Sequence, residues 1–210
     1  MIPYRLNPMG CFPYKRKLQY LEATGTQWLS TGIIFDKDYS ITAEAECAIF
    51  SPANCCILGN YSNGSEQSFN FQIGGSNGVS PRAFMQLGPT SASAVAVTLA
   101  SMSYNTPATL TMEYDVANQT VLLSRDNGTS ASAAVPTGSN TTMRELNVFR
   151  DYRSNVFTAR FRIYWLKIWK DGILCFDGIP VMDNRNVVCM FDRVSNDFHY
   201  NQGTGTFDYN

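Results

Sequence analysis

The chain has 210 residues, with 16 Lys and Arg against 17 Asp and Glu, and a formal charge of −1, which excludes binding nucleic acid through bulk charge. Charged residues make up only 16%, below the ~25% usual in soluble domains. Ser, Thr and Asn number 52, so the surface is largely neutral and hydrogen-bonding, as suits a protein working outside a cell or on a particle.

No apolar run of about 18 residues is present to insert in a membrane as a helix. The opening Met1-Ile2-Pro3-Tyr4-Arg5 lacks the apolar centre of a signal peptide. Residues 1–17 read as an extended N-terminal arm. Pro3, Pro8 and Pro13 oppose helix and central strand, and Arg5, Lys15, Arg16 and Lys17 all precede the first acid, Glu22. The segment is either a solvated terminus or an anchor docking on a larger assembly through Ile2, Pro3, Tyr4, Arg5, Leu6, Pro8 and Phe12. A Pro-rich segment loses little entropy on binding, and the apolar side chains favour the anchor.

From Leu18 onward the pattern is one of strands. Ile41, Ala43, Ala45, Cys47 and Ile49 alternate with more polar neighbours, as do Phe69, Phe71 and Ile73, then Val95, Val97 and Leu99, then Leu110, Met112, Tyr114 and Val116. Shorter runs are predicted at Cys56–Leu58, Phe84–Leu87, Val121–Ser124 and Leu146–Arg150, and residues 129–142 read as a polar loop. No segment holds helical periodicity over three turns. Six cysteines do not space as a disulfide scaffold, and those in apolar strand patterns read as reduced, buried thiols. One histidine and no C-x-x-C argue against zinc.

Phe161–Ile168 is apolar on both pleat faces, with Phe161, Ile163 and Trp165 on one and Tyr164, Leu166 and Ile168 on the other, which predicts a strand in the middle of a sandwich. Asp171-Gly172 then supplies a tight hairpin turn. This strand and turn, followed by Ile179-Pro180-Val181, by Val188-Cys189-Met190-Phe191-Asp192 and by Asn201-Gln202-Gly203-Thr204-Gly205-Thr206-Phe207, resemble the C-terminal part of laminin-G-like (concanavalin-A-like lectin and glucanase) jelly rolls of gut bacteria and their phages. The likeness covers about the last 50 residues and extends weakly to Tyr20–Trp28. It implies an all-β, two-sheet antiparallel jelly-roll sandwich over residues 18–210 behind the arm, with its first and last strands side by side.

The resemblance does not choose among lectin, glycosidase and structural module. Laminarinase-type enzymes of this fold carry E-x-D-x-x-E on one strand. Here the pattern is Glu113-Tyr114-Asp115-Val116-Ala117-Asn118, and Asn118 cannot act as the acid, so a solvent-facing alternation ending in a turn is the better reading. Asp36–Asp38, Asp126–Gly128 and Asp183-Asn184 have calcium-ligand types, but they also read as Asx turns, and no spacing specifies calcium or another cofactor. Trp169, Tyr152 and Trp28 are the aromatic candidates for stacking on sugar rings, with Trp165 and Tyr164 assigned to the core and His199 to a surface strand.

The expectation is a non-enzymatic bacteriophage virion protein, a capsid-attached fibre or decoration, located at the virion surface. Its arm would contact other virion proteins, its jelly roll would adhere to host or mucosal glycans, and a homo-oligomer, a trimer by analogy, would supply avidity. The alternatives are a bacterial secreted or surface carbohydrate-binding module and, third, a glycosidase.

Overall fold

A computed structural model of the chain describes residues 12–50, 54–62, 66–74, 79–153 and 160–210. In chain order the strands are β1 (Arg16–Lys17), β2 (Leu21–Ala23), β3 (Leu29–Ile34), β4 (Ile41–Ile49), β5 (Cys55–Gly59), β6 (Ser68–Ile73), β7 (Pro81–Gln86), β8 (Ala94–Thr98), β9 (Ala108–Asp115), β10 (Thr120–Arg125), β11 (Ser130–Ala134), β12 (Glu145–Val148), β13 (Phe161–Lys170), β14 (Ile173–Met182), β15 (Val188–Asp192), β16 (Asp197–His199) and β17 (Asp208–Tyr209). A 3-10 turn at Ser91–Ser93 is the one helical element among the described residues.

The expected all-β sandwich is what forms. A large sheet runs β11-β10-β9-β4-β13-β14-β15-β16, with β1 on β14, β2 on β13 and β17 on β2, and a six-stranded sheet runs β3-β12-β5-β6-β7-β8. All strand pairs are antiparallel. The core between the sheets takes one side chain in two from each strand: Ile41, Ala43, Ala45 and Cys47 from β4, Leu110, Met112 and Tyr114 from β9, Phe69 and Phe71 from β6. Asp171 and Gly172 both have positive φ, 46° and 75°, at the β13–β14 hairpin, as an Asp-Gly type I′ turn requires. The chain ends meet in the large sheet, Asp208 opposite Glu22 and Tyr209 opposite Leu21.

Three sequence expectations are corrected. Residues 130–134 are not loop but the edge strand β11, pairing with β10; a Ser/Ala run has no apolar alternation to announce it. In β13 the register slips between Ile163, opposite Cys47, and Trp165, opposite Glu46. The extra residue, Tyr164, is a β-bulge. It lets Phe161, Ile163, Leu166 and Ile168 all enter the core and turns Trp165 outward, where its indole N–H donates to Glu46 Oε2 at 2.8 Å. The two-sided apolar pattern thus comes from a changed register, not from burial of both faces. Third, His199 points inward, its Nδ1 2.8 Å from the Ser30 carbonyl oxygen and its ring against Phe176.

The outward neighbours of His199 have a core of their own. Phe198 and Tyr200 join Ile179, Val181, Cys189 and Phe191 in a second apolar cluster that Tyr14 covers. Residues 12–17 of the arm lie on the sandwich here. Arg16 and Lys17 pair with Met182 and Val181, the Lys15 N–H donates to the Met182 carbonyl, and Tyr14 packs on Phe191 at 5.5 Å. Phe12 stacks on Tyr14 and remains 64% exposed. The anchor residues Ile2, Pro3, Tyr4, Arg5, Leu6 and Pro8 lie outside the described residues.

Candidate functional site

Glycine and short polar side chains interrupt the six-stranded sheet on its outer side. Asn147 of β12 faces Gly59 of β5, Gly59 faces Asn70 of β6, and Asn70 faces Phe84 of β7, so these four form one row across the sheet. Their strand neighbours Val148, Leu58, Phe71 and Ala83 all belong to the core, which places the row on the opposite face. Gly59 has no side chain to fill the row: a Cβ there would meet Asn70 Oδ1 at 2.0 Å and Cys56 Sγ at 2.9 Å.

The chain itself roofs part of this face. At the end of β12, Phe149 takes a φ of 70°, a left-handed conformation that costs a non-glycine residue roughly 1–2 kcal/mol. Its ring packs against Phe161 and Phe207 at 5.9 and 5.3 Å, and truncating a buried Phe costs about 3–5 kcal/mol. Packing therefore outweighs the strain, and the chain turns back so that the Tyr152 N–H donates to the Tyr61 carbonyl. Asp151, fully buried, accepts from Asn70 Nδ2 at 3.1 Å, from the Arg153 backbone N–H at 2.9 Å and from Arg153 Nε at 2.8 Å.

Four arginines lie on aromatic rings at this face, Arg82 being 5.6 Å above Phe84 of the row itself. Arg150 is 4.4 Å above Trp28, Arg144 is 4.8 Å above Tyr152, and Arg153 is 4.7 Å above Tyr61. Arg144 is also paired with the buried Glu66 at 3.0 Å, and Arg153 with Asp151 at 2.6 Å. Beneath them, burial pushes the Cys56 thiol well above its ordinary range, and the Asp151 carboxylate adds to that. Cys56 is thus a neutral part of the floor, not a nucleophile.

What sets the row apart is its unmet hydrogen bonding. Asn147 is 1% exposed, and among the described residues neither Oδ1 nor Nδ2 has a partner; Asn70 Oδ1, equally buried, also has none there. The other buried amides of this face are satisfied: Asn60 Nδ2 donates to the Gln67 carbonyl and its Oδ1 accepts the Phe69 N–H, while Asn140 Nδ2 donates to the Glu66 carbonyl. Three orphaned polar atoms around a glycine whose side-chain space Asn70 and Cys56 fill are a local exception to the rule that buried polar groups are bonded.

Of the three aromatic residues singled out in the sequence, Trp28 and Tyr152 come to this face, both under arginines. Trp169 does not; it is half-buried on the outer side of the large sheet, opposite Thr42. Trp165, assigned to the core from sequence, lies two residues before Lys167 on the same outer side. Asn70, Asn147, Gly59, Tyr61, Asp151 and Arg150 were not singled out. Asn in Phe69-Asn70-Phe71 and Leu146-Asn147-Val148 reads as the wet half of an alternation, and the one available signal was that Asn is a poor strand former.

The carboxylates of the remaining motifs hold turns. Asp115 Oδ1 accepts the N–H groups of Ala117 and Asn118, and Oδ2 accepts Asn118 Nδ2. These bonds, that of the Asn118 side chain foremost, hold the Asp115 carboxyl below its ordinary value. Asp183 Oδ1 accepts from the Arg185 and Val187 N–H groups, and Oδ2 from Arg185 Nε and the Tyr200 hydroxyl.

No protein-family model matches the chain, and no curated protein matches it in sequence. Solved structures do. The CBM40 of the Ruminococcus gnavus IT-sialidase, bound to α2,3-sialyllactose, is 11% identical over 73% of this chain and 90% of its own, with a TM-score of 0.54. A candidate carbohydrate binding protein from Bacteroides ovatus is 9% identical over 92% of this chain and 60% of its own, with a TM-score of 0.60. Domains LG4-5 of the mouse laminin α1 chain are 13% identical over 78% and 44%, with a TM-score of 0.54. At such identities the likeness is one of fold: the chain is a jelly-roll sandwich of the kind seen in laminin-G and lectin-like domains.

Proposed function

We propose that this chain is a non-enzymatic carbohydrate-binding jelly roll whose glycan site is the Asn147–Gly59–Asn70 row beneath Trp28, Tyr61 and Tyr152. The observation that carries this reading is Asn147, buried with both amide atoms unbonded among the described residues. A buried donor or acceptor without a partner costs about 1–3 kcal/mol, and a sugar hydroxyl, which both donates and accepts, would relieve it if the turn at residues 149–153 that covers the row shifts to admit it. Aromatic faces beside neutral hydrogen-bonders suit a sugar ring. Asn147→Leu keeps the volume and removes the amide. On a glycan array the parent chain retains a defined set of oligosaccharides and this variant, equally folded by circular dichroism, retains none; unchanged retention overturns the site.

Within this reading the chain works on the surface of a phage particle. The support is the resemblance of its last 50 or so residues to phage-borne jelly rolls and the position of the arm. Residues 12–17 lie on the large sheet, the opposite side from the row, so attachment by one face leaves the other presented. Deleting residues 1–11 then abolishes incorporation into particles while glycan retention persists. Full glycan retention by a monomer with no particle association favours instead a bacterial carbohydrate-binding module.

A further inference from the structure

The four arginines of the candidate site are not equivalent. Arg144 and Arg153 are neutralised by the buried carboxylates Glu66 and Asp151. Neither Arg82, over Phe84 at the β7 end of the row, nor Arg150 has a carboxylate partner among the described residues. Arg150 differs from Arg82 in being held: its Nε donates to the Asp151 backbone carbonyl at 2.8 Å, and its guanidinium carbon lies 4.4 Å from the centre of the Trp28 ring. Bond and ring together hold the fork in one orientation, while its terminal nitrogens make no hydrogen bond among the described residues. A guanidinium fixed in this way and left unneutralised is prepared for a planar, two-oxygen anion.

We infer that the ligand of this face is an acidic glycan, whose carboxylate is received by Arg150 at the Trp28 end of the row. This rests on the glycan-binding reading above and names its ligand class. Glu145 accepts the Ser30 hydroxyl and sits at the start of β12, two residues before Asn147 on the same strand, so an anion is disfavoured on that flank of Asn147.

The test is a titration of the full chain with uronic-acid-containing oligosaccharides, with the same oligosaccharides as methyl esters, and with sulfated neutral counterparts. Methyl esterification removes the charge and little else. The acid is expected to bind at least about tenfold more tightly than its ester, the difference that one charge-assisted hydrogen-bonded contact supplies. In Arg150→Gln that preference falls to about onefold. Arg150→Lys keeps the charge but not the fork and recovers only part of the preference. Equal binding of acid and ester overturns the inference and leaves the glycan site standing, as does a preference for the sulfated sugar over the carboxylate. Binding of none of the three overturns both readings. A thermal unfolding midpoint for Arg150→Gln equal to the parent's shows that any loss is not one of folding.

Discussion

Asn70 Oδ1 lies within 2.0 Å of where a Cβ on residue 59 would stand, and the two residues are directly opposed in register. Glycine at 59 is therefore what allows the Asn70 amide to lie flat and donate to Asp151 at 3.1 Å. Gly59→Ala is expected to push that amide aside, lowering unfolding free energy by about 1–3 kcal/mol through overpacking and weakening glycan retention. Chemical denaturation and the array read the two effects; a variant as stable as the parent counts against the tight row.

Asn147→Leu separates stability from function. Two buried amide atoms without a partner among the described residues oppose folding, and an apolar side chain of similar size removes the opposition. Unfolding free energy is expected to rise by about 1 kcal/mol as binding is lost. A drop in stability would mean that the amide is bonded in solution.

The acid limb of stability is expected to reflect Asp115 and Asp183. Burial pushes the Asp183 carboxyl upward, but the Val187 N–H, Arg185 and Tyr200 outweigh it and leave it below its ordinary value of 3.8; Asp115 is held below the same value by Asn118. Because the folded values are the depressed ones, both carboxylates contribute stability above about pH 4 that is lost as pH falls through the folded values. The thermal midpoint should fall on acidification below pH ~4, and Asp183→Asn should flatten that fall.

The thiols give a test of the core. Cys47, Cys55, Cys56, Cys175 and Cys189 are free, and burial raises each of them, Cys189 to about 12. Only thiolates are alkylated. At pH 8 the folded protein should therefore leave Cys47, Cys55 and Cys56 unmodified by iodoacetamide, with complete labelling after denaturation, as read by mass spectrometry.

The arm divides into two parts with different consequences. Deleting residues 1–11 leaves Tyr14 and β1 over the cluster of Val181 and Phe191. Deleting 1–17 strips that cover and the bond from the Lys15 N–H to the Met182 carbonyl. The longer truncation is expected to lower unfolding free energy by on the order of 3 kcal/mol and to bind a hydrophobic dye, and the shorter to do neither.

Much of the sandwich was legible because alternation and turn chemistry are local. The pattern of Ile41–Ile49 places β4 with one face in the core, and Asp171-Gly172 can hardly be anything but a hairpin. Strand β11 was not legible, since Ser and Ala declare neither face. The direction of Trp165 was not either, because a single bulged residue reverses every side chain after it.

The order of residues alone determined an all-β fold, its hairpins, and an arm distinct in composition from the rest. The tertiary structure decided which polar residues go without partners. Asn147 comes from a strand far along the chain from the paired β5 and β6 that carry Gly59 and Asn70, and Phe149, held left-handed by Phe161 and Phe207, folds Arg150 and Asp151 back over them. Hydrogen-bond satisfaction depends on what long-range pairing brings near, and no local pattern records that.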